Sequence, residues 1–269
     1  SVAKGTDKVI VVKGDLSRIG TGEAGTPGRL IKIDYSSLEG KGANSGTTVY
    51  GTGSTSFAGS RVQKSYPVIT VAAAATTPAE GNTNLVKVTV AANASGDIVM
   101  NKLTFGVASS TFVADRFEFI GPTGNVSSST AIIMSSASTT GTVYFDSTTN
   151  TDDRYIQANT SKDFYFKGIN INLTGGTNSD QGTITVTLKG DTAYPTLAGS
   201  YLMASSTVSG LSAQKTLWSP ISTTSPNTMR DITAGPAYDD WTNGYGIQAT
   251  CSGSPMVLGQ DCTGVTLTK

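Results

Sequence analysis

The segment KDFYFKGININL, residues 162–173, decides the fold class because its alternation of apolar and polar residues changes phase in the middle. Phe164 and Phe166 share one parity, whereas the isoleucines and the leucine that follow Gly168 share the other. Alternation with a period of two residues is typical of a β-strand with one buried face. One extra residue near Gly168 would return both sets to the same face. The segment therefore predicts a long strand with a β-bulge at this glycine.

Segments with the same alternation lie on both sides of it. They are NLVKVTV (84–90), DRFEFI (115–120) and GTITVTLKG (182–190). Turn-forming clusters such as GPTGNVSSS and GGTNSDQG separate them. No window of 11 residues shows the apolar spacing of an amphipathic helix. This pattern predicts an all-β chain whose centre, residues 67–190, is an antiparallel Ig-like β-sandwich.

The flanks of this central region are less regular. Residues 1–66 contain three strand-like stretches, DKVIVV (7–12), GRLIKIDY (28–35) and RVQKSY (61–66), joined by long Gly/Thr/Ser connections. We expect either a small β-domain or extended strands that pair with the sandwich or with a neighbouring subunit. Residues 191–269 alternate weakly and contain more proline, which predicts an irregular C-terminal region.

The composition limits the kinds of partner. Charged residues make up 14% of the chain, against roughly 25% in an average soluble domain, and 19 basic residues balance 19 acidic ones. Such a chain has no electrostatic footprint for nucleic acid or an anionic membrane. The longest weakly polar run, VITVAAAA, is far too short to span a bilayer. A net charge near zero favours association with copies of the same chain.

The chain contains no histidine, which excludes Ser-His-Asp and Cys-His nucleophile systems and histidine metal sites. GTGEAG (20–25) has the spacing of a dinucleotide-binding loop, but Pro27 and a strand-like segment follow where a helix is required. Paired carboxylates for glycoside hydrolysis depend on a three-dimensional separation, so a hydrolase stays as a third hypothesis. We predict that the chain is not an enzyme.

The two cysteines, Cys251 and Cys262, close a loop of about a dozen residues if they pair. Such a disulfide contributes roughly 2–3 kcal/mol in the chain-entropy model and indicates an oxidising compartment. The sequence begins with Ser1, which fits a processed, mature protein. We therefore predict a secreted or cell-surface protein with a Cys251–Cys262 disulfide.

One loop carries candidate ligands for a metal ion. DSTTNTDDRY brings together Asp146, Asn150, Asp152 and Asp153, the type of oxygen ligand that Ca²⁺ prefers. The spacing is not that of an EF-hand, and the same residues are ordinary turn formers. Calcium is the one cofactor that the sequence leaves open.

Both tryptophans of the chain, Trp218 and Trp241, lie in a proline-rich stretch that runs to Ile247 and also contains Tyr245. A tryptophan outside a long strand either buries roughly 150–250 Å² as an anchor or stacks on another molecule. Three interpretations follow: an anchor on the sandwich, a plug in a neighbouring subunit, or a stacking surface for carbohydrate. A tight turn is predicted at Asn243-Gly244.

The pieces WSPISTT (218–224) and DWTNGYGI (240–247), with RVQKSYPVIT and LVKVTVAANASGDIVMNKLTFGVA upstream, resemble predicted surface proteins of candidate-phyla-radiation bacteria, the Patescibacteria and particularly the Parcubacteria. The resemblance covers about two-thirds of the chain, roughly residues 61–247. It implies an extracellular, all-β protein whose biochemical role is largely unassigned. The last 22 residues, with both cysteines, depart from that pattern.

These observations lead to two main hypotheses. In the first, the chain is a structural subunit of an extracellular filament, sheath or surface layer, and it self-associates through β-strand and loop contacts. DKVIVV (7–12) would then complete a neighbour's sheet by β-augmentation. In the second, the chain is a cell-surface adhesin or carbohydrate-binding module whose partner is a surface glycan.

Overall fold

The structure is a computed structural model, and it describes residues 2–3, 6–20, 23–25, 28, 30–34, 36–52, 60–110, 113–126, 138–145, 151–172, 182–194, 214–221 and 241–269. The only helix in these ranges is a single turn, α1 (Thr151–Arg154), and none of them contains a helix long and apolar enough to cross a membrane. The strands are β1 (Leu30–Ile31), β2 (Glu39–Lys41), β3 (Thr48–Tyr50), β4 (Ser60–Arg61), β5 (Pro67–Ala73), β6 (Gly81–Ala92), β7 (Ile98–Ser110), β8 (Arg116–Gly121), β9 (Gly124–Asn125), β10 (Ser138–Tyr144), β11 (Tyr155–Ile156), β12 (Ser161–Ile171), β13 (Thr183–Leu188), β14 (Leu217–Ser219), β15 (Thr242–Asn243), β16 (Gln248–Cys251), β17 (Ser254–Pro255) and β18 (Val265–Thr268).

Two seven-stranded sheets contain most of the described strands. The first has the order β17-β16-β5-β6-β12-β8-β9. The second has the order β15-β14-β7-β13-β18, and β10 and β11 also pair with the long central strand β7. The ladders are antiparallel except that of β16 with β5, which is parallel. The prediction of an all-β, mainly antiparallel fold is thus confirmed.

The two sheets pack face to face through a cluster of phenylalanines. Phe105 in β7 of the second sheet lies 5.5 Å from Phe119 and 5.3 Å from Phe166 of the first sheet, measured between ring centroids. These rings are fully buried, together with the valines and isoleucines that alternate along the same strands. Burial of a phenylalanine or valine side chain stabilises the fold by about 1.5–3 kcal/mol. The layers are those of a β-sandwich, while the Ig-like arrangement in particular stays a prediction.

The predicted β-bulge lies where the sequence phase changes. The register of β12 against β6 shifts between Phe166 and Lys167, and it shifts again between Gly168 and Ile171. A Cβ atom on Gly168 would lie 2.6 Å from Ile171 Cδ1, so a larger residue at this point would require the Ile171 side chain to shift. Phe164, Phe166 and Ile171 of β12 belong to the hydrophobic core, whereas Ile169 lies opposite Arg116 of β8.

The N-terminal residues differ from the sequence-based expectation. The stretch DKVIVV (7–12) belongs to no strand, whereas β2 and β3 form a hairpin inside a segment that the sequence presents as a connection. The hairpin turn closes through a hydrogen bond from Gly42 N to Thr47 O, and Gly46 has a φ of +63°. High strand propensity therefore did not suffice for residues 7–12, because a strand also requires a neighbour to pair with.

The C-terminal region is more regular than expected. Residues 241–269 supply the short strands β15 to β18, which extend both sheets, while the other residues of this range lie outside strands. Each of these strands has two to four residues, too few to produce a visible period of two in the sequence. The two sheets therefore include residues on both sides of position 190, the predicted boundary of the sandwich.

Candidate functional site

The disulfide between Cys251 and Cys262 is present, with Cα atoms 5.8 Å apart. Cys251 ends β16 in the first sheet, whereas the backbone N–H of Cys262 donates to Leu188 O at the end of β13 in the second sheet. The disulfide therefore joins the two layers at one side of the sandwich. Both half-cystines are buried in the core.

Of the four candidate calcium ligands, the structure describes the side chain of Asp153 alone; Asp146 and Asn150 lie outside the described residues, as does the side chain of Asp152. Asp153 Oδ2 accepts hydrogen bonds from the backbone N–H of Thr123 (3.1 Å) and from its hydroxyl (2.8 Å). Asp153 Oδ1 lies 4.0 Å from Lys162 Nζ. Within the described ranges, no group of three or more acidic, histidine or cysteine side chains is placed to hold a metal ion. The described contacts of Asp153 thus hold the β8–β9 turn.

Trp218 and Trp241 are buried within the chain itself, with 2% and 3% of their surface exposed. Trp218 lies in β14, which pairs with β7 on one side and with β15 on the other. Its indole Nε1–H donates to Asn243 O at 2.9 Å, which joins the two halves of the tryptophan segment. This geometry favours the anchor interpretation of both tryptophans over stacking on a ligand.

A buried carboxylate that sequence reasoning missed organises the surrounding loops. Asp191 is 5% exposed, and its Oδ1 accepts from Lys215 N at 2.7 Å. Its Oδ2 accepts from Thr216 N at 3.1 Å and from Gly244 N at 2.8 Å. Three N–H groups from two segments that are distant in sequence, residues 215–216 and Gly244, therefore meet at one side chain. Nothing local in KGDTAYP distinguishes this aspartate from a turn former, so no sequence signal was available.

Asn243 completes this network and fixes the position of the following turn. Its Nδ2 donates to Ala193 O (2.8 Å) and to Gln214 Oε1 (2.7 Å), and its Oδ1 accepts from Tyr245 N (3.2 Å). The predicted tight turn lies slightly later than Asn243-Gly244, which the sequence favoured. Asn243 is in β15, and Ile247 N closes the turn on Gly244 O. Gly246, with a φ of +85°, takes the position that requires glycine.

Beside this turn lies a surface cleft of about 310 Å³. Its lining combines aromatic rings with two polar side chains from the start of the sandwich: Arg61, Gln63, Tyr66, Tyr194, Trp218 and Tyr245. The network around Asp191 and Asn243 holds the loops that carry Tyr194 and Tyr245. The cleft is thus formed by segments that are far apart in the sequence.

The aromatic rings of the cleft contact one another. Tyr194 and Tyr245 meet edge to face with centroids 4.7 Å apart, and the guanidinium carbon of Arg61 lies 5.1 Å from the centre of the Tyr194 ring. Arg61 Nη1 donates to Gly28 O at 2.7 Å, which fixes the side chain in place. Burial raises the pKa of Tyr194, and the nearby Tyr245 adds to this, although the Arg61 charge opposes it. Tyr194 is therefore a neutral hydroxyl at physiological pH.

Two residues that line the cleft each have a buried polar atom without a hydrogen-bond partner among the described residues: the donor Arg61 Nε and the acceptor Gln63 Oε1. Among the described residues that line the cleft there is no carboxylate, and Arg61 is the one charged side chain. An acid–base pair for hydrolysis is therefore missing from these residues. The described lining residues provide aromatic faces, a guanidinium donor and an amide acceptor, groups that suit noncovalent binding of a small molecule.

A second exposed feature is the N-terminal apolar segment, residues 7–16. Its five large apolar side chains, Val9, Ile10, Val11, Val12 and Leu16, are between 59% and 83% exposed. The segment belongs to no strand. The sequence had already indicated it as a strand for a neighbour's sheet.

Comparison with known proteins found no match for this chain among family models, curated proteins or solved structures. No relative therefore assigns a role to the cleft or to the N-terminal apolar segment. The resemblance to surface proteins of candidate-phyla-radiation bacteria stays a prediction.

Proposed function

We propose that this chain is a structural subunit of an extracellular assembly and that it self-associates through its N-terminal apolar segment. The observation that carries the proposal is the exposure of Val9, Ile10, Val11 and Val12, four consecutive β-branched residues. A contiguous exposed apolar patch on a folded protein usually marks an interaction surface. The role is non-enzymatic.

The physical chemistry of the segment favours a β-strand in a partner. Valine and isoleucine have high β-propensity, and a strand forms when it pairs with a sheet edge. Main-chain hydrogen bonds then provide affinity, and alternate side chains pack toward the core. Both faces of KVIVV are apolar, so the face that points away from the partner's core must also be buried. A neighbouring subunit in an assembly can bury it. Burial of each of these side chains is worth about 1.5–3 kcal/mol.

The outer edge of β10 (Ser138–Tyr144) is the acceptor that we favour. Within the described ranges this strand pairs with β7 alone. Its sequence, STTGTVY, contains no charge and no proline, the residues that proteins commonly place on edges to prevent pairing. The outer edge of β18 is also without a described partner, but that strand has four residues against seven in β10.

Pairing of one subunit's N-terminal segment with the next subunit's β10 is a head-to-tail contact. Such contacts generate rings when the rotation closes and open filaments when it does not. The near-zero net charge gives little repulsion between copies. The disulfide is compatible with an extracellular location. We favour a filament or sheath over a layer, since one strand-for-edge contact per subunit extends in one dimension.

The decisive experiment compares assembly of the full chain with that of a Val9→Ser, Val11→Ser double variant by sedimentation velocity and electron microscopy across micromolar concentrations. We expect polymers from the parent chain and monomers from the variant. The matched control is a Val49→Ser, Leu258→Ser variant, which removes two equally exposed apolar side chains elsewhere and should still polymerise. A parent chain that stays monomeric throughout, or a double variant that polymerises normally, contradicts the proposal.

A second pair of variants tests the acceptor edge. Thr140→Lys places a charge on β10, whereas Thr268→Lys places the same charge on β18. Lysine on an edge strand opposes pairing with another chain. Assembly should therefore be lost with Thr140→Lys and retained with Thr268→Lys. The opposite result would move the acceptor to β18.

A further inference from the structure

We infer that the cleft beside the tryptophan segment binds one saccharide unit of a surface glycan, independently of self-assembly. The residues that carry this inference are Arg61, Gln63, Tyr66, Tyr194 and Tyr245. The sequence suggested carbohydrate stacking on the tryptophans, but these are buried, and the partly exposed aromatic rings of the cleft are tyrosines.

The aromatic lining provides the apolar part of the site. Tyr66, Tyr194 and Tyr245 are each only partly buried, and the network around Asp191 and Asn243 fixes the loop of Tyr245. A pyranose ring has one face of C–H groups, which packs on an aromatic ring, and a rim of hydroxyl groups. Tyrosine suits such a ligand because it has an aromatic face and a hydroxyl that both donates and accepts hydrogen bonds.

The unpartnered polar atoms decide the chemical class. Arg61 Nε is a donor and Gln63 Oε1 is an acceptor; both atoms are buried, belong to residues that line the cleft and have no partner among the described residues. A ligand in the cleft reaches them when these two side chains turn toward it. Each unsatisfied buried group of this kind is costly, so a ligand that satisfies both binds with a gain. A sugar hydroxyl both donates and accepts, and neighbouring hydroxyls can serve both atoms at once. A purely apolar ligand can hydrogen-bond to neither atom, and a simple anion can accept from Arg61 Nε but cannot donate to Gln63 Oε1.

Size and charge narrow the ligand further. A volume of about 310 Å³ is at the lower end of the range for small-molecule sites, roughly 300–1,000 Å³. It suits one ring and not an extended peptide. Arg61 is the one charged side chain among the described lining residues, so the site disfavours a sugar with a free amine. Neutral sugars and sugars with a carboxylate both fit this donor and acceptor pattern.

The test is a titration of the full chain with methyl glycosides of glucose, galactose, mannose, N-acetylglucosamine, glucuronate and glucosamine, followed by ligand-observed NMR and calorimetry. We expect saturable binding of at least one neutral or carboxylated sugar, and weaker binding of the glucosamine probe. Inorganic phosphate and a pentapeptide of mixed polar sequence serve as competitors. If the peptide displaces the sugar, or binds in its place, the assignment to a saccharide is overturned.

Three variants connect binding to the cleft. Gln63→Met keeps the side-chain length but removes the acceptor, and Tyr245→Ala removes one ring; we expect each to weaken binding about tenfold or more. Tyr50→Ala removes an exposed tyrosine outside both the cleft lining and β10, and it should leave binding unchanged. Far-UV circular dichroism of each variant confirms that it is folded. Absence of saturable binding to every sugar, or equal binding by Gln63→Met and the parent chain, overturns the inference.

Sugar binding and self-assembly can be tested separately. The Val9→Ser, Val11→Ser variant changes residues outside the cleft lining, so it should bind the sugar as the parent chain does. Loss of sugar binding without loss of polymers, or the reverse, then identifies which of the two proposals has failed.

Discussion

The two ends of the chain flank the same sandwich, yet only one of them is built into it. Residues 248–269 provide β16 and β17 to the first sheet and β18 to the second. Residues 7–18 are described equally fully and pair with neither sheet. The N-terminal end is the more apolar in local sequence, with KVIVV against VTLT, so apolar content alone does not decide which end folds onto the core.

The two ends differ in whether their apolar residues all point to one face of the strand. A strand at the edge of a sandwich buries only one of its faces. In β18, Val265 and Leu267 point into the core while Thr266 and Thr268 face solvent. The disulfide and the hydrogen bond from Cys262 N to Leu188 O fix this register. In KVIVV both faces are apolar, so pairing at a sandwich edge would leave one face exposed. β18, a short alternating strand near the disulfide, therefore pairs within the sandwich. The uniformly apolar segment KVIVV does not, and it is free to pair with another molecule.

The largest expected effect tests whether the tryptophan segment belongs to the core. Trp218→Ala should lower the free energy of unfolding by about 3–5 kcal/mol, because a buried ring and its hydrogen bond to Asn243 O are lost. Val11→Ala, in the N-terminal apolar segment, should change it by less than about 0.5 kcal/mol. Urea unfolding followed by circular dichroism measures both. If Trp218→Ala and Val11→Ala lowered the free energy of unfolding equally, the tryptophan segment would be no more part of the core than the N-terminal apolar segment.

The next effect concerns the buried carboxylate that joins the C-terminal loops. Asp191→Ala should cost about 3 kcal/mol, since the backbone N–H groups of Lys215, Thr216 and Gly244 lose their acceptor in a buried site. The matched control at the other end is Asp7→Ala, which alters an exposed carboxylate and should be close to neutral. The same urea titrations, run at neutral pH, give both values. A loss below about 1 kcal/mol would mean that water replaces the carboxylate at little cost.

Removal of the disulfide tests the covalent tie by itself. A Cys251→Ala, Cys262→Ala variant should lose roughly 2–3 kcal/mol of unfolding free energy, because the closed loop is short. The parent chain treated with a reductant should lose a similar amount. Thermal unfolding with and without reductant makes the comparison, and the variant itself should be insensitive to reductant. An unchanged midpoint would show that side-chain packing alone holds β16 and β18 in place.

The central strands and the disulfide were predictable from sequence, and the cleft was not. Alternation over six or more residues determined β6, β8, β12 and β13, and the phase change in KDFYFKGININL located the bulge. These signals are local, since each strand shows its own buried face. The short strands β14 to β18 lack them because their position depends on pairing with residues far away in the sequence.

The cleft escaped sequence reasoning for the same reason. Arg61 and Gln63 precede β5, whereas Tyr194 and Tyr245 are more than a hundred residues later. Asp191, which holds their loops, looks like an ordinary turn residue until three N–H groups converge on it. The sequence did favour Tyr245 and the tryptophans as important residues. It could not indicate that the tryptophans would be buried and that tyrosines would form the accessible surface.

The smallest expected effect is electrostatic and concerns the contact of the C-terminal tail with β13. Asp261 Oδ2 lies 2.8 Å from Lys189 Nζ, and Oδ1 accepts from Gly190 N at 3.0 Å. Burial by itself raises the pKa of Asp261, but the hydrogen bonds from Lys189 and Gly190 outweigh it, so the pKa lies below its usual value. A carboxyl whose pKa is lower in the folded state stabilises the fold above its unfolded pKa, and this contribution is lost as the pH falls through the folded value.

Asp261→Asn should therefore lower the unfolding free energy at neutral pH, by less than about 1 kcal/mol because the carboxylate is 46% exposed and screened by solvent. The difference from the parent chain should be constant above a pH of about 5. It should begin to shrink near the unfolded pKa of about 4 and disappear only below the lowered pKa of the folded state. Unfolding midpoints at a series of pH values measure it, with Asp15→Asn in the exposed N-terminal segment as the control that shows no difference at any pH. A difference that persists in acid would mean that the tail is held by the Asp261 hydrogen-bond geometry and not by its charge.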